Sequence, residues 1–213
     1  FVYSGPVACH SFYSISASAS NLAIIVGPNH YGIGQNVASM IDVSWKTPLG
    51  LVEVDSDSVL KLREHLDILE IDSFSHSKEH SIEVQIPMLQ EVFSDEMKIL
   101  PISLINQEQK TATLVGSAIA KIAQKKDALL IGSSDFTHYE ENGFAHNQDQ
   151  ALIDPILKLD VDEFYKILYE RKVTACGFGA IASIMTACKE LGATQGKLLK
   201  YATSGDVSGD KSS

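Results

Sequence analysis

Three short, nearly uninterrupted apolar runs constrain this chain more than any other feature. Leu22-Ala23-Ile24-Ile25-Val26-Gly27 stops at Gly27-Pro28 and contains no alternation of polar and apolar residues. A run of that length and kind is the signature of a strand buried on both faces, as in a parallel sheet. Ala128-Leu129-Leu130-Ile131-Gly132-Ser133-Ser134 repeats the pattern cleanly. Lys98-Ile99-Leu100-Pro101-Ile102-Ser103-Leu104 repeats it with a proline inside, which predicts an edge strand or a bulge.

Helical periodicity fills the spaces between the runs. Ser56-Asp57 can cap a helix carrying Val59, Leu60 and Leu62 toward Leu66. Ile82, Ile86, Leu89 and Phe93 recur at helical spacing, with Pro87 as an internal irritant. Leu114, Ala118 and Ile122 do the same within 107–124, and further helices are predicted near 146–158, 160–170 and 177–191, the last ended by Gly192. Strand alternating with helix implies an α/β fold with a central, largely parallel or mixed sheet flanked by helices. There is no internal repeat, low-complexity stretch or linker, so residues 1–213 read as one domain. The stretch from Ser204 to Ser213 has no core-facing pattern and is expected to be a loose loop.

Composition excludes several classes of function. Lys+Arg 17 against Asp+Glu 27 leaves a net charge of −10, with no dense basic cluster, so a nucleic-acid groove or an anionic membrane surface is a poor partner. No apolar run approaches the roughly 18–20 residues that span a bilayer. Cys9, Cys176 and Cys188 are an odd number without close spacing, which argues for a reducing compartment and a cytoplasmic location. Phe1 opens the chain without Met, so the sequence reads as truncated at both ends.

In open α/β sheets ligands gather beyond the carboxyl ends of the strands. After the first run come Asn29 and His30; after the last come Asp135, Phe136, Thr137 and His138. Glu79-His80-Ser81-Ile82-Glu83 lies at a predicted helix start, where His80 and Glu83 could equally be a solvent-facing pair. Cys176, before Gly177 and a helix N-terminus, is either a small buried hydrophobe or a thiol whose pKa the helix lowers. His10, His65, His76 and His146 have no comparable setting and read as structural or exposed. Imidazole, carboxylate and thiolate together suit Fe(II), Zn(II) or copper, but any such site has to be assembled from distant loops.

Six segments together resemble the Memo family, also called AmmeMemoRadiSam system protein B. They are Tyr3-Ser4-Gly5-Pro6-Val7-Ala8, Gly27-Pro28-Asn29-His30, Trp45-Lys46-Thr47-Pro48-Leu49-Gly50, Glu79-His80-Ser81-Ile82-Glu83, Ser133-Ser134-Asp135-Phe136-Thr137-His138 and Cys176-Gly177. The resemblance covers essentially the whole chain and implies a fold similar to class III extradiol dioxygenases. It also implies a metal pocket lined by His30, Asp135, His138 and Cys176, with one more histidine upstream of Phe1. It makes His30 and Cys176 metal ligands and Asp135, His138 and His80 the catalytic candidates. Iron is the first metal to consider, with zinc or copper as alternatives. The expected occupant is a small molecule or a peptide, without nucleic acid or membrane. The function implied is a metal-dependent redox or dioxygenase-like enzyme. The alternative is a metal-binding or phosphopeptide-binding adaptor without turnover, since a thiolate beside iron and O₂ is easily oxidised.

Overall fold

The computed structural model describes residues 1–93 and 97–210. β1 (Leu22–Pro28) is buried at all seven positions. It pairs in parallel with β6 (Lys98–Leu104) on one edge and with β7 (Ala128–Gly132) on the other. The first and last apolar runs are therefore neighbours in one sheet, in register from Leu22 opposite Ala128 to Val26 opposite Gly132. Burial of Leu22, Ile24, Ile25 and Val26 contributes roughly 1.5–3 kcal/mol each, and alternation along the strand means both sheet faces are covered.

Two short strands complete the sheet. β2 (Val37–Ser39) runs antiparallel to β6 and parallel to β5 (Glu70–Ile71), giving the order β5-β2-β6-β1-β7. The sheet is thus mixed. β3 (Ser44–Thr47) and β4 (Gly50–Glu53) form a separate antiparallel hairpin over the Trp45–Gly50 segment.

Pro101 lies in the middle strand, not at an edge or a bulge. The Lys98 N–H and the Leu104 carbonyl bond toward the β1 side, to the Asn21 carbonyl (2.9 Å) and the Asn29 N–H (2.8 Å). The Ile99 and Pro101 carbonyls point the other way, to the Asp55 N–H (2.8 Å) and Ser39 Oγ (2.6 Å). In a parallel ladder a residue's N–H and C=O face the same side. The missing Pro101 N–H therefore falls opposite β2, whose pairing covers only Ser103 and Leu104, and the β1 ladder loses nothing.

The helices lie close to the predicted segments: α2 (Ser56–His65), α4 (Gln109–Ala123), α5 (Asn142–Leu157), α6 (Val161–Arg171) and α7 (Phe178–Glu190). α1 (Gly5–Ser14) was not anticipated; its apolar content is high but only Phe12 is buried. The 81–93 helix is shorter than expected. A 3₁₀ turn at Glu83–Gln85 leads into α3 (Ile86–Val92), so Pro87 falls in the first helical turn, where its missing N–H costs nothing. The tail is not loose throughout: α8 (Ser204–Ser208) is closed by a capping box between Thr203 and Asp206. Lys211–Ser213 lie outside the described residues. Among the described residues no helix is long and apolar enough to cross a membrane.

α7 packs against β1 and β7 on one side and meets α4 at close range. Its other side joins a second core with α5 and α6, built on Phe164, Tyr165, Leu168, Ala182 and Met185. The approach of α4 to α7 depends on Gly116, where a Cβ would overlap the Ser183 carbonyl oxygen and sit 2.6 Å from Thr186 Cβ. Gly116→Ala is expected to lower the urea midpoint by the equivalent of about 1–3 kcal/mol through overpacking. Gly143, also in a helix but with nothing near its missing Cβ, should accept alanine with no loss. Equal midpoints for the Gly116 variant and the parent would remove this contact as a determinant of the helix layer.

Candidate metal-binding site

The parallel pairing of β1 and β7 brings their carboxyl ends to the same sheet edge. Serine hydroxyls lace the following loops together. Ser81 Oγ donates to the Pro28 carbonyl (2.9 Å), and Ser133 Oγ donates to the Ser81 carbonyl (2.7 Å) while accepting from Gln85 Nε2 (2.8 Å). Gly27 permits this approach, since a Cβ there would meet Ser81 Oγ at 2.5 Å. Gly177 fits in the same way under Ser133, and its N–H donates to Ser134 Oγ (2.9 Å).

The functional side chains on this edge form two groups. In the first, Glu79 lies beneath two exposed histidines with a side chain only 1% exposed. Its Oε2 accepts the His30 backbone N–H (2.6 Å). Its Oε1 accepts the His80 and Ser81 backbone N–H groups (both 2.8 Å) and lies 2.9 Å from His30 Nδ1. The rings of His30 and His80 stack, with centroids 4.9 Å apart at 17°. Burial works to raise the Glu79 carboxyl, but the hydrogen bonds from His30 and Ser81 together hold it below the usual carboxylate range. One donor atom from each of His30, Glu79 and His80 lies within 4.8 Å of the other two.

The second group joins Asp135 to Cys176, with His138 tied to Thr174 two residues before the cysteine. The Asp135 N–H donates to Cys176 Sγ (3.2 Å), and the Cys176 N–H donates to the Asp135 carbonyl (3.1 Å). The Asp135 residue itself is exposed. His138 is held by Thr174, whose Oγ1 accepts its backbone N–H (2.8 Å) and whose carbonyl lies 2.9 Å from its Nδ1. Gln107 clamps the cysteine turn from α4's approach, donating to the Cys176 carbonyl and accepting from the Gly179 N–H (both 2.9 Å). The Cys176 thiol is pushed up rather than down. Burial raises it and so does the Asp135 charge, against the lowering effect of the Asp135 N–H. Desolvation outweighs the helix N-terminus that the sequence suggested.

The structure thus joins Asp135 to Cys176 and His30 to His80 at one sheet edge. Among the described residues, the group of three or more ligand-type side chains with donor atoms within 4.8 Å of one another is His30, Glu79 and His80, without Asp135, His138 or Cys176. Glu79 is the residue that sequence reasoning passed over. His80 and Glu83 are both exposed, as a solvent-facing pair would be, and the carboxylate that meets the two histidines is Glu79. The pattern Glu-His-Ser contained a signal: a carboxylate whose own chain turns back over it offers two successive N–H groups.

A profile for Memo-like proteins matches residues 1–213. The chain belongs to the Memo family. A Memo family relative from Nitrosopumilus maritimus, described as a MEMO1 family protein, is 57% identical over 213 residues, covering 100% of this chain and 78% of that protein. MEMO1 family proteins from Methanosarcina barkeri and Methanopyrus kandleri are 45% and 41% identical, covering 99% and 100% of this chain and 78% and 76% of theirs. In fold, the chain is similar to the crystal structure of an uncharacterized protein from Escherichia coli K12. The TM-score is 0.57 at 12% identity, over 84% of this chain and 81% of that one.

The 3₁₀ turn at Ser73–His76 supports the His30 loop, since the Ser75 carbonyl accepts from Asn29 Nδ2 (3.0 Å). It ends in His76, 7% exposed, whose ring nitrogens have no hydrogen-bond partner among the described residues. Burial lowers its pKa to about 4, outweighing the Ala38 backbone and the Asp72 and Glu79 charges, which pull upward. Between that value and the ordinary 6.5 the unfolded chain binds a proton that the folded chain refuses. His76 therefore contributes fully above pH 6.5, and stability falls as pH drops from there toward about 4, by up to about 3 kcal/mol. His76→Leu should flatten the fall in urea midpoint across this window. An unchanged slope would mean other groups govern the acid response.

Proposed function

We propose that this Memo family protein binds a divalent metal at the carboxyl edge of its sheet and uses it for redox or dioxygenase-like chemistry on a small molecule. The observation that carries the reading is the convergence of two imidazoles over a buried carboxylate, with donor atoms within 4.8 Å of one another. Imidazoles with an anionic neighbour suit Fe(II) first, and Zn(II) or copper as well. When bound, such a metal would supply a Lewis-acid or redox centre. His30 and His80 would hold it, with Glu79 supporting them. Cys176 is the adjacent soft donor; its raised pKa means that ligation would release a proton. His138, fixed through Nδ1 by the Thr174 carbonyl, keeps Nε2 to move a proton toward or from a bound molecule. Asp135 is the exposed charge beside it.

The same electrostatics weigh against a phosphopeptide in this place. Glu79 and the exposed Asp135 put two carboxylates at the edge, and the ion pairs seen there among the described residues, Glu79 with His30 and His80, involve neither Lys nor Arg. A doubly charged phosphate would meet repulsion where a cation meets attraction.

Anaerobic calorimetric titration of Fe(II), Zn(II) and Cu(I) tests the reading, followed by oxygen consumption with catechols. His30→Ala should weaken all three metals by at least ~10-fold, in line with the loss of a ligand or its support. Cys176→Ser should act most on Cu(I), the softest of them. His146→Ala, which removes only an ion pair to Asp206, should bind as the parent does. Indistinguishable affinities across these variants would end the metal reading and put the adaptor first.

A further inference from the structure

We infer that Glu79 is a positioning residue that holds the His30 ring with its proton on Nδ1, so that Nε2 is the ligand atom. The inference rests on the metal reading above for its purpose, but its geometry stands apart from it.

Glu79 contacts His30 twice. Oε2 accepts the backbone N–H at 2.6 Å and Oε1 faces the ring Nδ1 at 2.9 Å. The first contact fixes where the residue starts; the second fixes how its ring is turned. Two further N–H groups, from His80 and Ser81, close on Oε1 at 2.8 Å. Three backbone donors on one buried carboxyl group favour its anion, and an anionic carboxylate only accepts hydrogen bonds. The proton in the 2.9 Å contact therefore belongs to His30 Nδ1. In neutral imidazole a proton on one nitrogen leaves the other as a lone pair. That lone pair is on Nε2, for which no hydrogen bond is seen among the described residues.

The same contacts argue against Glu79 Oε1 as a metal ligand atom. Each carboxylate oxygen has about two lone-pair directions, and three contacts already crowd Oε1, from the backbone N–H groups of His80 and Ser81 and the ring of His30, whereas Oε2 takes the His30 backbone N–H alone. Taking a metal at Oε1 would strip a buried anion of donors that its burial demands. A carboxylate behind a ligating imidazole is the arrangement that sets ring orientation and basicity at metal sites. His80 differs from His30, since its Nδ1 stands 3.6 Å from Oε1, too far for a hydrogen bond. It is carried by the same carboxylate through its backbone alone, and its tautomer is left free.

The experiment is long-range proton–nitrogen NMR of the whole, metal-free chain with ¹⁵N-labelled histidine at about pH 8, above the ordinary imidazole range. His30 should show the Nδ1–H pattern, while His80 shows the mixture of an exposed imidazole. In Glu79→Gln, the amide can no longer accept at both ends. His30 should then lose the Nδ1–H pattern, and Zn(II) affinity should fall by ~10–100-fold. The parent spectrum decides even where the variant folds poorly: an Nε2–H tautomer at His30 overturns the inference. So does a Glu79→Gln protein with parental tautomer and parental Zn(II) affinity. An Nδ1–H tautomer that Glu79→Gln abolishes, in a protein that takes up no metal, upholds Glu79 as the holder of His30 and overturns the metal reading instead.

Discussion

β1 is hydrogen-bonded along both edges and buried along both faces, and the rest of the molecule is arranged by that constraint. A strand in this position can carry no polar side chain along its length without leaving it unpaired. Chemistry is therefore displaced to its end, where Asn29 and His30 emerge beside Ser133 and Asp135. The loops that meet there must satisfy their own backbone, and they do so through each other: Ser81 binds the Pro28 carbonyl, and Ser133 binds the Ser81 carbonyl. The absence of a Cβ at Gly27 and at Gly177 allows this depth of contact. Core packing and site geometry are one problem here, because the glycines that seat the loops are also the ends of the core elements.

Glu79 is the costliest residue in that arrangement. A carboxylate 1% exposed gives up its hydration, and the loss is several kcal/mol in an uncompensated site. Compensation comes from three main-chain N–H groups, all in segments that end at the site. Charge-assisted bonds to backbone donors contribute about 1.5–3 kcal/mol each, enough together to offset burial. The anion thereby ties the loop after β1 to the loop before α3. Such a feature is hard to explain as packing alone, since an apolar side chain would fill the space with no penalty but would leave those N–H groups without acceptors.

The fold was legible in the sequence to the extent that its strands are buried on both faces. The run at 22–27 gave itself away because a two-sided strand has no polar position to disguise it. The run at 128–134 is a strand only over Ala128–Gly132, and it lies at the sheet edge, half-buried along 128–131 and exposed at Gly132, where a strand buried on both faces was expected. β2, β5 and the β3–β4 hairpin were not found: they are two to four residues long, and the hairpin's burial is partial. Pro101 misled because its consequence depends on which neighbour the missing N–H faces, and that is a property of register. α1 escaped notice because its sequence lacks an amphipathic stripe, only Phe12 being buried. At the site, residues directly following a strand were accessible to reasoning, as His30 and Asp135 were. Glu79 was not, because the pairing that gives it meaning spans 49 residues and runs through main-chain donors. For Cys176 the position at a helix start was read correctly, but its burial, which sets the sign of the pKa shift, is invisible in one dimension.

The two groups at the sheet edge are built on opposite principles. Around Glu79 the carboxylate is inside and the imidazoles are outside, so, against the effect of burial, hydrogen bonds hold the carboxyl below its usual range and the His30 ring is held from behind. Around Cys176 the ionisable thiol is inside, kept protonated by burial and by the Asp135 charge, and the carboxylate is outside. The first group therefore carries an anion behind its rings, whereas the second keeps a thiol with a raised pKa behind an exposed carboxylate. Support behind the second group is equally deep: Thr137, between Asp135 and His138, is bound by the buried Asp149 through its N–H (3.0 Å) and hydroxyl (2.5 Å), and Tyr201 from the tail donates to the other Asp149 oxygen (2.7 Å). Both loops are thus fixed from beneath by a buried carboxylate, Glu79 under the first and Asp149 under the second.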